Sequence, residues 1–313
     1  AYTQLDAFQS LANAYKSRQD YPQAIKIFNE LVRLLPRNIE MRLALAELNE
    51  RAGDAAAAYE GYCSVLSMQP DNMQALLRLA TISYDRGEYE AAQKYYLLYL
   101  KSSPDSLEGL KGLGRAYFRT GRYEDAIKYF EQALKVGPAE TDCLVDCAES
   151  YVRTGKVKEG IERMRSAIAA TPIADNYIIL AGMYRKAGDV QSALAAYRSA
   201  LERDHESVDA LAGIGALEVQ QSNYAQAAQA YESQMKLQPM NTDIITALAG
   251  VYDQMGEYAK AVVLYESYAK LRPDNAGAAW LALGITSYDR GKYEAAQKYY
   301  LLYLKSSPDS LEG

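Results

Sequence analysis

Side chains that commonly carry reaction chemistry are scarce in this chain. His205 is the only histidine, so a multi-histidine metal site cannot be assembled, and any Ser-His or Cys-His relay would have to run through this one residue. The three cysteines, Cys63, Cys143 and Cys147, form no CxxC pair. An odd count at these spacings fits neither a disulfide framework nor a zinc site, and the thiols are expected to be small buried apolar groups. Cys143 and Cys147 would lie one helical turn apart, but two further soft ligands are missing. Paired acids such as Glu47 and Glu50 are ordinary on an exposed helix and lack an organised partner. Gly109-Leu-Lys-Gly112-Leu-Gly114 has the look of a phosphate loop, yet no strand precedes it and its glycines fall inside a helical pattern. The expectation is a chain without catalysis, cofactor or metal.

The composition belongs to a folded chain: 313 residues, 49% hydrophobic and 24% charged, with nine prolines and twenty glycines. A net charge of −6 argues against a general nucleic-acid or membrane-surface role, because phosphate binding needs a dominant positive field. The longest apolar run, Tyr95 to Leu100, is far short of the roughly 20 residues that cross a bilayer. The chain opens at Ala1 without an initiator Met or a basic-then-apolar leader, as expected of a processed or excised chain, and no signal assigns a compartment.

The elements that must position any site follow from a repeat. Pro36, Pro70, Pro104, Pro138 and Pro172 stand 34 residues apart, followed by Pro239, Pro273 and Pro308, with His205 in the one missing place. Aligned on them, nine repeats start at Leu5, Ile39, Met73, Leu107, Thr141, Ala174, Val208, Thr242 and Gly277. In the fourth, Leu110, Leu113, Gly114 and Tyr117 precede Gly121 and Tyr123, and Ala126, Phe130 and Ala133 follow. Spacings of three and four on either side of a glycine describe two amphipathic helices joined by a tight turn. Proline stops the second helix, and Asn38, Asn72, Ser106, Ser207, Asn241 and Asn275 stand where an N-cap is needed.

The same places carry Phe8, Leu11, Ala12, Tyr15, Ala24, Phe28 and Pro36 in the first repeat, and Ile245, Leu248, Ala249, Tyr252, Gly256, Tyr258, Ala261, Tyr265 and Pro273 in the eighth. The ninth opens with Trp280-x-x-Leu283-Gly284. On these residues the chain resembles the tetratricopeptide repeat (TPR) family over nearly its whole length. Asn49, Ser83, Glu218 and Ser287 depart from it, standing where an apolar or aromatic residue is usual, with Tyr84 and Tyr288 one place later. A column of small residues, Ala12, Ala46, Ala80, Gly114, Ala148, Ala181, Gly215, Ala249 and Gly284, marks where the two helices of a repeat approach closely. The resemblance implies an all-α fold, a right-handed α-solenoid superhelix over 5–310 with no independent domain boundary. Tyrosines number 28 against four phenylalanines. Core packing with the hydroxyl reaching outward is one role for them, and ligand stacking is the other.

What the resemblance implies about function is a scaffold that binds a protein or peptide segment in a concave groove lined by the first helix of each repeat. At its inward positions, repeats four to six place Lys111, Arg115, Phe118, Arg119, Arg153, Arg185 and Lys186. Such a basic stretch with one aromatic suits an acidic peptide or a C-terminal carboxylate. A solvated face of scattered charge, with Glu149 among the basic residues, is the competing reading. Acids recurring in the first turn, among them Glu108 and Asp142, are expected to favour the helix dipole. Gly182, Ala212, Ala216 and Gly250 leave room on the later inner face. The residue set of the family's chaperone-tail clamp is absent, since Lys111, Arg115 and Asp146 do not match it.

Residues 83–109 and 287–313 are identical except for Glu88 against Lys292. Packing constrains only motif positions, so identity at solvent-facing sites points to copying of DNA, natural or engineered. Tyr300, Tyr303 and Leu304 are expected to lack the cover that Tyr96, Tyr99 and Leu100 receive, which offers self-association through the C-terminal repeat as an alternative function.

Overall fold

A computed structural model describes residues 4–306, and among these the only regular structure is helical. The helices form hairpins: α1 (Gln4–Ser17) with α2 (Tyr21–Leu34), α3 (Ile39–Arg51) with α4 (Ala55–Met68), α5 (Met73–Asp85) with α6 (Tyr89–Ser102), α7 (Leu107–Arg119) with α8 (Tyr123–Val136), and α9 (Thr141–Arg153) with α10 (Val157–Ala170). They continue with α11 (Ala174–Lys186) and α12 (Val190–Arg203), α13 (Val208–Gln220) and α14 (Tyr224–Leu237), α15 (Thr242–Gln254) and α16 (Tyr258–Leu271), and α17 (Gly277–Asp289) and α18 (Tyr293–Ser306). The chain divides into two compact units that part between Ala170 and Thr171, so α1–α10 build the first and α11–α18 the second.

Each turn inside a hairpin is made locally. After α3, the Asp54 N–H donates to the Asn49 carbonyl and the Gly53 N–H to that of Glu50, the paired bonds of a helix end whose closing residue is left-handed. Gly53 takes φ +84° there, and glycine fills the same place in six other hairpins. Gln19 and Ser222 hold it at φ 60° without that freedom. The next helix starts on a side-chain cap: Asn38, Asn72, Ser106, Ser207 and Asn241 accept from the N–H of Met41, Ala75, Gly109, Ala210 and Ile244. Asn275 does not follow suit. The eighth repeat is one residue longer, the surplus folds into a 3-10 turn at Pro273–Asn275, and Ala276 becomes the residue before α17. Asn275 instead donates to the Tyr268 hydroxyl at 3.3 Å.

Burial follows the small column, in which all nine positions are closed to solvent. A Cβ added at Gly114 would stand 2.6 Å from the Phe130 ring, and one at Gly215 or Gly284 equally near Tyr231 or Tyr300. Smallness there is a packing requirement. Tyr62, Tyr96 and Tyr197 are core residues, and hydroxyls reach carboxylates, Tyr62 to Glu50 at 2.7 Å and Tyr151 to Glu131 at 3.0 Å. At the departures from the repeat pattern, Ser83 is fully buried with no hydrogen-bond partner. Glu218, also buried, accepts from Arg198 at 3.0 Å and Asn223 at 2.9 Å, which meets the demand that a buried charge be paired.

Candidate functional site

The basic residues of the fourth repeat sit on α7, and the next first helix, α9, faces them with acids. Lys111 Nζ lies 2.7 Å from Glu140 and 3.1 Å from Asp142. Arg115 lies 3.2 Å from Asp142 and 2.5 Å from Asp146. Two cations therefore meet three carboxylates. Burial opposes the charge on Lys111, but the hydrogen bonds to Glu140 and Asp142 outweigh it and raise its pKa. Burial likewise works against the Asp142 carboxylate, and the bond from Lys111 reverses that to a net lowering. For Asp146 burial wins over the Arg115 bond, and its pKa rises.

The remaining members of the expected stretch are dispersed. Phe118 packs edge-on to Tyr123, with ring centroids 5.3 Å apart. The exposed Arg119 lies over the Tyr89 ring at 4.9 Å, a cation–π arrangement. Arg153 pairs with Glu149 on its own helix at 3.3 Å. Arg185 and Lys186 are exposed on α11 and belong to the second unit. The structure thus brings Lys111 and Arg115 together, neutralised, and leaves the seven without a common positive surface within the first unit.

What the sequence reading did not assign is a cavity of about 410 Å³ between α5 and α7, with α6 behind it, into which Thr81, Tyr84, Tyr96, Lys111 and Arg115 face. Asp85 and Glu108 line it too. Its floor is set by Gly112: a Cβ there would stand 2.3 Å from the Tyr96 ring, so only glycine lets the two helices close over that side chain. The Tyr96 hydroxyl lies 3.4 Å from Thr81 Oγ1, and burial raises its pKa. Tyr84 stands at the rim, edge-on to Tyr89 at 5.4 Å. Among the described residues, Asp85 and Glu108 form no ion pair. Two signals for this arrangement were in the sequence. One is the shift of the aromatic from Ser83 to Tyr84, which moves a ring from the core slot to the cavity. The other is opposite charge at a separation of 31 residues, shared by Lys16–Glu47, Lys111–Asp142 and Arg115–Asp146.

Of the three thiols expected to be buried, Cys143 and Cys147 are, whereas Cys63 is only partly covered. Burial pushes the Cys143 thiol up to about 12 and raises Cys147 as well. Among the described residues no three His, Cys, Asp or Glu side chains group as a metal site, and no helix is long and apolar enough to cross a membrane. Gly182 has open space where its Cβ would be, so crowding does not account for it.

Comparison with known proteins agrees with the hairpin geometry. Tetratricopeptide repeat models match residues 5–48, 71–139 and 246–310, and the model of the fourth ARM domain of tetratricopeptide repeat protein 21 matches residues 110–268. No curated protein matches the chain. Among solved structures, the C-terminal part of a TPR repeat-containing protein from Cytophaga hutchinsonii is similar at 16% identity and TM-score 0.67, over 77% of this chain and 99% of that one. A tetratricopeptide repeat protein from Parabacteroides merdae is similar at 20% identity and TM-score 0.55, over 79% and 98%. MamA from Desulfovibrio magneticus gives 18% identity and TM-score 0.51, over 54% and 97%. At these identities the likeness speaks for the fold. With hairpins of 13- and 14-residue helices, a buried small column, glycine turns and family models spread along the sequence, the chain belongs to the tetratricopeptide repeat family.

Proposed function

We propose that this chain is a non-enzymatic protein-interaction scaffold that holds a peptide or protein segment on the first-helix face of its first unit, at the cavity between α5 and α7. The observation that carries this is the cavity itself, which combines two tyrosine rings with a hydroxyl and charges of both signs. Pockets that fix a ligand are largely apolar with a few placed polar groups. An acidic segment would have to compete with Asp142 and Asp146 for Lys111 and Arg115, so the tyrosines and the unpaired Asp85 and Glu108 share in the choice of partner. Arg119 and Arg153 flank this face as secondary contacts.

The test is site-specific photo-crosslinking in the full chain. A photoreactive residue in place of Tyr84 is expected to capture a partner peptide, and one in place of Tyr288, the matching residue of the copied segment, is not. Equal capture at both positions, or capture at 84 that survives Gly112→Val, would refute this assignment. A second reading, self-association through α18, is supported by the exposure of Leu301 (51%) and Leu304 (41%) on that helix. Light scattering decides it, since a mass independent of concentration removes it.

A further inference from the structure

The second unit contains a cavity of about 400 Å³ at the N-terminus of α16. Tyr258, Ala259 and Lys260 from the first turn of α16 line it, together with Ser287, Arg290 and Lys292 from the following hairpin. Its charges are unevenly balanced. Lys260 is paired with Glu257 at 2.5 Å, and Thr286 at the edge donates to Asp253 at 3.1 Å. Among the described residues Arg290 and Lys292 have no carboxylate partner. The Arg290 guanidinium is held 3.3 Å from the centroid of the Tyr258 ring, which fixes its place beside the helix end.

Two further observations point the same way. Glu257, at the N-cap of α16, makes no side-chain capping hydrogen bond; the Lys260 N–H is taken by the Glu257 carbonyl at 3.0 Å, and those of Tyr258 and Ala259 keep their demand for an acceptor. At the start of α4, by contrast, Asp54 accepts from the Ala57 N–H at 2.9 Å. Ser287 is only 6% exposed, lines the cavity, and its hydroxyl has no hydrogen-bond partner among the described residues. Unlike the enclosed hydroxyl of Ser83, that of Ser287 stays accessible from the cavity, where an acceptor can reach it.

The copied segment isolates the cause. In the first copy Arg86 pairs with Glu88 at 3.1 Å, and the equivalent residues of the second are Arg290 and Lys292. The one difference in the whole segment falls at this cavity and reverses the charge at that position. We propose that the cavity is a binding site for a tetrahedral oxyanion of the phosphate class, held by Arg290, Lys292, the Ser287 hydroxyl and the N–H groups of Tyr258 and Ala259. Helix N-termini favour such anions through their free N–H groups and dipole, and the guanidinium adds directed, charge-assisted bonds.

The experiment is a titration of the isotope-labelled 313-residue chain followed by amide NMR, at constant ionic strength with sodium chloride as reference. Inorganic phosphate and O-phosphoserine are the probes. Saturable shifts are expected at Tyr258, Ala259, Lys260 and Ser287. Tighter binding of O-phosphoserine assigns a phosphorylated side chain as the source of the group, and equal binding assigns the free ion. Lys292→Glu keeps the fold, because glutamate occupies that place in the first copy, and is expected to weaken binding at least about tenfold, the worth of one charge-assisted bond. Arg290→Gln provides the same reading should the first variant misfold. Shifts that never saturate, or an affinity unchanged in both variants, would overturn the proposal.

Discussion

The hairpins α5–α6 and α17–α18 carry the same residues from the end of their first helix onward, except for Glu88 against Lys292, yet their surfaces differ. Contacts inside each hairpin are preserved: Tyr84 meets Tyr89 edge-on at 5.4 Å, and Tyr288 meets Tyr293 at 5.5 Å. Contacts outward are not. Tyr96 is buried beneath Gly112 of α7, whereas Tyr300 is only partly covered. Tyr89 lies under Arg119, whereas Tyr293 is 64% exposed. Gln93 is buried and donates to the Ala116 carbonyl at 3.1 Å and to Thr120 Oγ1 at 2.9 Å, whereas Gln297 faces solvent. A hairpin's own sequence therefore makes its helices and turn, and the next repeat decides which of its side chains become core. That matches the nearest-neighbour energetics of solenoids.

Paired substitutions in the two copies sharpen this contrast. The largest difference is expected for the aromatic: Tyr96→Ala should cost about 3–5 kcal/mol, the range for removing a buried ring, and Tyr300→Ala clearly less, read from urea midpoints. Next comes the glutamine. Gln93→Ala removes two hydrogen bonds from a buried side chain and should cost about 2 kcal/mol, while Gln297→Ala stays within about 0.5 kcal/mol as an exposed change. The turn glycines should break the pattern, because their demand is local. Gly87 and Gly291 sit at φ +77° and +69°, so alanine at either should cost about 1 kcal/mol, the same in both copies. A strongly unequal cost would show that the turn also depends on its neighbour. The smallest effect belongs to Glu88→Lys. It breaks an exposed pair with Arg86 and should shift stability by less than about 0.5 kcal/mol.

The same contrast explains how far the sequence could be read. Helices, turns, caps and the small column depend on residues within one repeat, and periodicity exposes them directly. Asn275 misled because one extra residue in the eighth repeat converts the cap position into a 3-10 turn. Lys111 and Arg115 were visible as basic residues on one helix, but their neutralisation comes from Glu140, Asp142 and Asp146 a repeat later. Asp142, read as a helix-dipole acid, spends its charge on that contact. The cavity at Tyr84 and Tyr96 is likewise a product of two hairpins, and Ser83 announced it only as a departure from pattern.

Hydrogen exchange on the 313-residue chain tests the dependence on the neighbouring repeat most directly, because α6 and α18 have the same sequence and hence the same intrinsic exchange chemistry. Peptides that extend across Glu88 or Lys292 differ in mass and keep the copies apart. Amides of α6 are expected to exchange at least about tenfold more slowly than those of α18, in line with the range of local opening energies in one protein. Equal protection in the two helices would contradict the claim that the next repeat, and not the hairpin, completes the core.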